Sequence, residues 1–244
     1  MKHPISFFIT VFSLCLVGIF FTGCSNTVPD IVALETLVIY DYTNLQEEPT
    51  QRLSVFTQSS GGSERIMRLE VSFPEAKICW TIDKPLILNN GSKIWAGSAN
   101  LMPPYFGSFP QGFPKGKYEV NYMDLAGETA QSQFYLAYEP VAAPPLNQPI
   151  FSNQEEQPSN ESSEDTTPSD DSSAEEPIKK IAIFSQPDGK GTLLFFDKGR
   201  DDWKSFEDIT KTYSKATSLR ISLDYPSRQV RYLLPAHNFE AGAQ

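Results

Sequence analysis

The sequence predicts a mostly β chain in two parts, a β-sandwich or barrel over residues 31–140 and a small α+β unit over 178–244. Three observations lead there. Apolar residues alternate with period two along the first part, and Gly- or Asn-rich turns punctuate the alternation. The second part mixes such alternation with one stretch of helical spacing. Between them, residues 141–177 carry no base and 9 acids, and from Ser152 to Pro177 the stretch has no aromatic and no aliphatic residue larger than Ala174.

The chain opens with Lys2 and His3, an apolar run from Ile5 to Phe21, and Thr22-Gly23-Cys24. A charged start, a hydrophobic segment and small residues at the end are the layout of an export signal. The Thr-Gly-Cys ending resembles a bacterial lipobox, in the relaxed form of spirochaete-type lipoproteins, because Phe21 stands where Leu, Val or Ala is commoner. The resemblance implies that residues 1–23 are a lipoprotein signal peptide and that Cys24 is the lipid (palmitate) attachment site. Its partner would be a membrane, and its place the cell envelope. Ser25 rather than Asp follows the cysteine, which points to an outer membrane or surface position rather than the inner membrane. Two other readings of the residues stay open: an uncleaved anchor of 17 apolar residues, at the lower limit for a bilayer span, or a secretory signal cut elsewhere.

Charge is uneven. Residues 25–140 hold 8 bases against 13 acids, and residues 178–244 hold 11 bases against 8 acids. No basic face speaks for nucleic acid. Of the 3 cysteines, Cys15 lies in the signal and Cys24 at its end, so Cys79 remains without a partner and the core must hold by packing.

Within 31–140, Leu37, Ile39 and Asp41 alternate with Val38, Tyr40 and Tyr42. Met67, Leu69, Val71 and Phe73 form one side of a later run, and Ile78, Trp80 and Ile82 one side of the next. Gly61-Gly62 and Asn89-Asn90-Gly91 supply turns, the latter a hairpin signal. The most specific pattern runs from Gly116 to Ala130: Gly-Lys-Tyr118-Glu-Val120-Asn-Tyr122-Met-Asp124-Leu-Ala126-Gly127 and a closing strand. It resembles the last hairpin of bacterial immunoglobulin-like domains, without the paired cysteines of antibody domains. That resemblance implies an immunoglobulin-like β-sandwich over 31–140, with Tyr118, Val120, Tyr122, Phe134, Leu136 and Tyr138 turned inward. It also implies a tyrosine that fastens a corner by bonding upstream backbone.

Residues 141–177 read as a disordered acidic linker rich in Pro and Ser, because too little apolar surface is present to offset the entropy of ordering. A flexible chain of these 37 residues spans on the order of 35 Å. In residues 178–244, Ile181 and Ile183 precede the hairpin signal Pro187-Asp188-Gly189, and Leu193 to Phe196 follow it. Trp203, Phe206, Ile209 and Tyr213 have helical spacing, with Asp202 or Ser205 as cap. Leu219-Ile221-Leu223 and Val230-Tyr232-Leu234 alternate as strands. So few residues make a marginal core alone. The unit either docks on the first, or the linker is an insertion in one larger fold.

Chemistry finds little footing. His237 is the lone histidine after the signal, no Gly-x-Ser-x-Gly elbow presents a serine, and one His with one Cys cannot make a four-ligand zinc site without carboxylates. Asp188-Gly-Lys-Gly191 lacks phosphate-loop spacing, and Asp201-Asp202 is one acidic pair among many. The expectation is no enzyme, no cofactor and no metal. The candidate binding loop is Met102 to Pro114, where Tyr105, Phe106, Phe109 and Phe113 stand among prolines. Such stiff apolar area suits a protein or glycan partner, and equally suits plugging the sandwich end as core. The reading is a binding, adhesion or structural module of the envelope. The alternative is a periplasmic accessory hydrolase working through carboxylates.

Overall fold

The computed structural model describes residues 28–90, 92–104, 112–142, 144–151 and 175–239. In chain order the first region supplies β1 (Ile31–Asp41), β2 (Thr50–Ser59), β3 (Ile66–Phe73) and β4 (Ile78–Ile82). It continues with β5 (Leu86–Asn90), β6 (Lys93–Leu101), β7 (Gly116–Asp124) and β8 (Thr129–Leu136). The second region supplies β9 (Ile178–Gln186), β10 (Lys190–Asp197), helix α1 (Phe206–Thr212), β11 (Ser218–Tyr225), β12 (Val230–Leu233) and β13 (His237–Asn238).

Among the described residues these strands make two sheets, and the chain is mostly β. One sheet has the order β4-β3-β7-β8. The other has nine strands, ordered β10-β9-β11-β12-β1-β2-β6-β5, with β13 paired to β11. The ladder that joins the two regions is parallel: β1 runs beside β12 with Val38 opposite Val230 and Asp41 opposite Leu233. Residues 178–239 therefore extend the sheet that β1, β2, β5 and β6 begin.

Alternation places the core. Leu69, Val71 and Phe73 of β3 and Tyr118, Val120 and Tyr122 of β7 are buried against Val38, Tyr40, Leu53 and Val55 of the large sheet. Ile221, Leu223, Tyr225, Val230 and Tyr232 share that cluster, so both regions feed one core. Each such side chain adds roughly 1.5–3 kcal/mol by burial. Met67 breaks the expected alternation. The pairing of β3 with β7 shifts register between Ile66 and Arg68, and the bulge turns Met67 to solvent.

A second cluster lies beside the first. Ile181, Ile183 and Leu219 on the sheet meet Trp203 and Ile209. Ser205, of the two candidate caps, holds the helix start, its Oγ accepting from the Asp208 N–H at 3.4 Å. The Lys211 ammonium, the Lys204 N–H and the Ser205 hydroxyl draw the Asp208 carboxyl down to about 2.

The stretch expected to be linker divides. Val141, Leu146 and Ile150 pack on the main core, and the Phe151 ring lies 5.3 Å from that of Phe206. These residues hold the apolar groups of the stretch, so they can offset their ordering entropy. Residues 152–174 lie outside the described residues.

Candidate functional site

The sequence singled out the loop between β6 and β7, and the structure describes its two feet. Tyr105, Phe106 and Phe109 lie outside the described residues, as does Cys24. Phe113 is 3% exposed and packs 5.9 Å from the Trp80 ring, so it serves as core rather than as contact surface. The outgoing foot is held by Trp80, whose indole N–H donates to the Met102 carbonyl at 2.9 Å.

Two tyrosines hold the returning foot. The Tyr118 hydroxyl donates to the Pro114 carbonyl at 2.8 Å, and the Tyr138 hydroxyl donates to the adjacent Phe113 carbonyl at 3.0 Å. Burial pushes both phenols up, so each stays a neutral donor at any ordinary pH. Gly116 completes the bend at φ 146°, where an added Cβ would stand 2.9 Å from the Phe73 ring. The Tyr118 anchor was legible from its place at the head of the Gly-x-Tyr-x-Val strand. The Tyr138 anchor was not, because nothing in the sequence ties residue 138 to residue 113.

Both feet of the loop are therefore fixed by hydrogen bonds at one pole. The nine residues of β7 run from this pole to the opposite one, a rise of about 27 Å. At the opposite pole Asp30, Ser60, Arg65 and Leu125 come together. The Ser60 N–H donates to the Asp30 carbonyl at 2.9 Å, and the Leu125 N–H to the Arg65 carbonyl at 2.8 Å. The Asp124 carboxylate closes the Asp124–Gly127 turn by accepting from the Ala126 and Glu128 N–H groups, at 2.8 and 3.0 Å.

A charged ladder on the outer face of the large sheet was not foreseen. Arg220 of β11 donates to the Asp41 carboxylate and, through Nε, to the Leu234 carbonyl at 2.8 Å. Arg52 of β2 meets the other Asp41 oxygen at 2.5 Å. Farther along β11, Asp224 is gripped by both arms of Arg231 at 2.6 and 2.7 Å, by Lys180 at 3.0 Å and by Ser222 at 2.6 Å. Burial pushes the Asp224 carboxyl up, but Arg231, Ser222 and Lys180 outweigh it and leave it below the ordinary value. The signal was present as Arg220, Ser222 and Asp224 at every second position of an apolar strand. These ion pairs consume one another: Arg220 with Asp41 clasps the two regions, and the Asp224 cluster ties β9, β11 and β12 to one another, which is a structural task.

On the outer face of the small sheet, Glu70, Ser72, Cys79, Glu119 and Asn121 line an open polar groove of about 470 Å³. Among the described residues no three His, Cys, Asp or Glu side chains are grouped to hold a metal ion. His237 sits exposed in β13, where its backbone pairs with Leu219.

Compared with known proteins, the chain matches no family model, no curated protein and no solved structure. Among the described residues no helix is long and apolar enough to cross a membrane.

Proposed function

We propose that this chain is a lipid-anchored protein of the cell envelope whose immunoglobulin-like sandwich carries the Tyr105–Phe109 segment toward a protein or glycan partner. The strand orders support the fold reading: β1-β2-β6-β5 opposes β4-β3-β7-β8, as the strands of an immunoglobulin-type sandwich do when named A-B-E-D and C′-C-F-G. The bond from the Tyr118 hydroxyl back to Pro114 has the form of the tyrosine corner. One observation carries the functional reading: the two feet of the loop and the start of β1 stand at opposite poles. A lipid on Cys24 would then fasten one pole to the membrane and hold the aromatic loop away from it.

The test takes the mature chain and its Tyr105→Ala, Phe109→Ala double variant. Wild type should bind isolated envelope saturably, and the double variant should lose at least about tenfold in affinity, near 1.4 kcal/mol. Its urea midpoint should hold, since exposed substitutions shift stability by about 0.5 kcal/mol or less. A large drop in midpoint would assign the rings to the core and retire the loop. Radiolabelled palmitate should enter the wild type and not Cys24→Ser; equal labelling would remove the anchor.

A further inference from the structure

The pole that holds the start of β1 carries apolar side chains that folding does not explain. Leu125 is 68% exposed at the tip of the Asp124–Gly127 turn, a position whose backbone geometry asks for no apolar residue. Val32 is 56% exposed at a bulge, where the β1–β2 register shifts between Ile31 and Ala33 and leaves it unpaired. Val28 is 66% exposed just before the strand. Single exposed apolar residues are ordinary. Here three share the pole that Asp30, Ser60, Arg65 and Leu125 tie together.

We infer that this pole rests on the bilayer surface, with Val28, Val32 and Leu125 seated among lipid headgroups. The inference depends on lipid attachment at Cys24, the anchor proposed above. Only four residue steps separate Cys24 from Val28, which even fully extended reach about 14 Å. Asp30 is in turn bonded to Ser60 on both its N–H and its carbonyl, so the tether has no further slack. A lipid buried in the membrane thus keeps Val28 at or near the headgroup layer, which is itself several Å deep. The charges of the pole identify the contact as apolar. Asp30, Glu64, Asp124 and Glu128 outnumber Arg65, which Asp124 itself pairs, and Lys93 at the head of β6, so attraction to anionic lipid does not drive it.

The experiment uses the full lipidated chain in phosphatidylcholine vesicles, with Cys79→Ser to remove the exposed thiol. An environment-sensitive dye is attached at Leu125→Cys in one sample and at Glu48→Cys, in the loop after β1, in another. A nitroxide-labelled lipid with its spin near the headgroup should quench the first dye several-fold more than the second, and high salt should leave that ratio unchanged. Palmitate labelling is read on the same samples. Equal quenching at both sites in a palmitoylated chain overturns the docked pole while leaving the anchor in place. Loss of the difference in high salt overturns the apolar contact. Absence of palmitate removes the anchor, and the docked pole with it.

Discussion

The hairpins β3–β4 and β11–β12 are built alike and end up with different tasks. In each, an aromatic residue is followed by a proline that opens a 3-10 turn, Phe73-Pro74 in one and Tyr225-Pro226 in the other. In each, a non-glycine residue closes the turn in the left-handed region, Lys77 at φ 56° and Gln229 at φ 52°. The closing N–H returns to the proline carbonyl at 3.1 Å in both. The registers coincide as well, with Phe73 opposite Ile78 and Tyr225 opposite Val230. Yet β4 is the edge of its sheet, whereas β12 receives β1 in parallel on its far side. Turn chemistry makes a hairpin; what arrives at its open edge decides how much of the fold hangs on it.

The comparison sharpens at matched positions. Tyr232 and Trp80 stand the same number of residues after their prolines. Tyr232 is 2% exposed, stacks 5.3 Å from Tyr40, and its hydroxyl accepts from the Val141 N–H at 2.7 Å. Trp80 is only partly buried. Tyr232→Ala should cost about 3–5 kcal/mol and Trp80→Ala about half as much, read from urea midpoints. Equal losses would break the comparison, showing that β12 draws no extra weight from β1.

The next pair in register is Asp224–Arg231 against Ser72–Cys79. Arg231→Met should cost about 2–4 kcal/mol, because Asp224 is left buried with only Lys180 and Ser222 beside it. Cys79→Ser, at an exposed edge position, should shift stability by about 0.5 kcal/mol or less. The ion pair also predicts a pH slope. The folded Asp224 pKa lies below its unfolded value, so its contribution is present above an ordinary carboxylate pKa of about 4 and is lost as pH falls through the lower folded value. Asp224→Asn should flatten that part of an acid unfolding series. An unchanged slope would show that Asp224 gains nothing from its partners.

The smallest effect concerns the turn residues. Lys77→Gly should stabilise by about 0.5 kcal/mol, since glycine accepts the left-handed conformation without a Cβ penalty. Gln229→Gly should gain nothing. The Gln229 side chain accepts from the Ala137 N–H at 2.8 Å and donates to the Tyr135 carbonyl at 3.2 Å, tying the turn to β8. Thermal unfolding of both variants decides it, and equal gains would mean the two turns are isolated loops of the same kind.

Local rules were readable from residues. The inward side of β7 at Tyr118, Val120 and Tyr122, the Asp124–Gly127 turn, the Pro187-Asp188-Gly189 hairpin and the Ser205 cap all follow from spacing and turn chemistry within a few residues. Where a bulge intervenes, as at Met67, the period misleads, because a shift of one residue moves a side chain to the other face. The repeated aromatic–proline turn was also on the page of the sequence, in Phe73-Pro74 and Tyr225-Pro226, but its meaning needed both registers.

Long-range pairing was not readable. By itself the sequence determined which stretches alternate, where they turn, and that Ser152–Pro177 has nothing to bury. Tertiary structure alone decided that β12 lies parallel to β1, that Arg220 reaches Asp41 across 179 positions, and that Val141, Leu146, Ile150 and Phe151 pack against the core. The physical reason is that a strand's hydrogen-bonding edge is backbone and nearly the same for every sequence. Its own residues set which face is buried, but which strand occupies its edge depends on the shape and charge of the whole assembled surface.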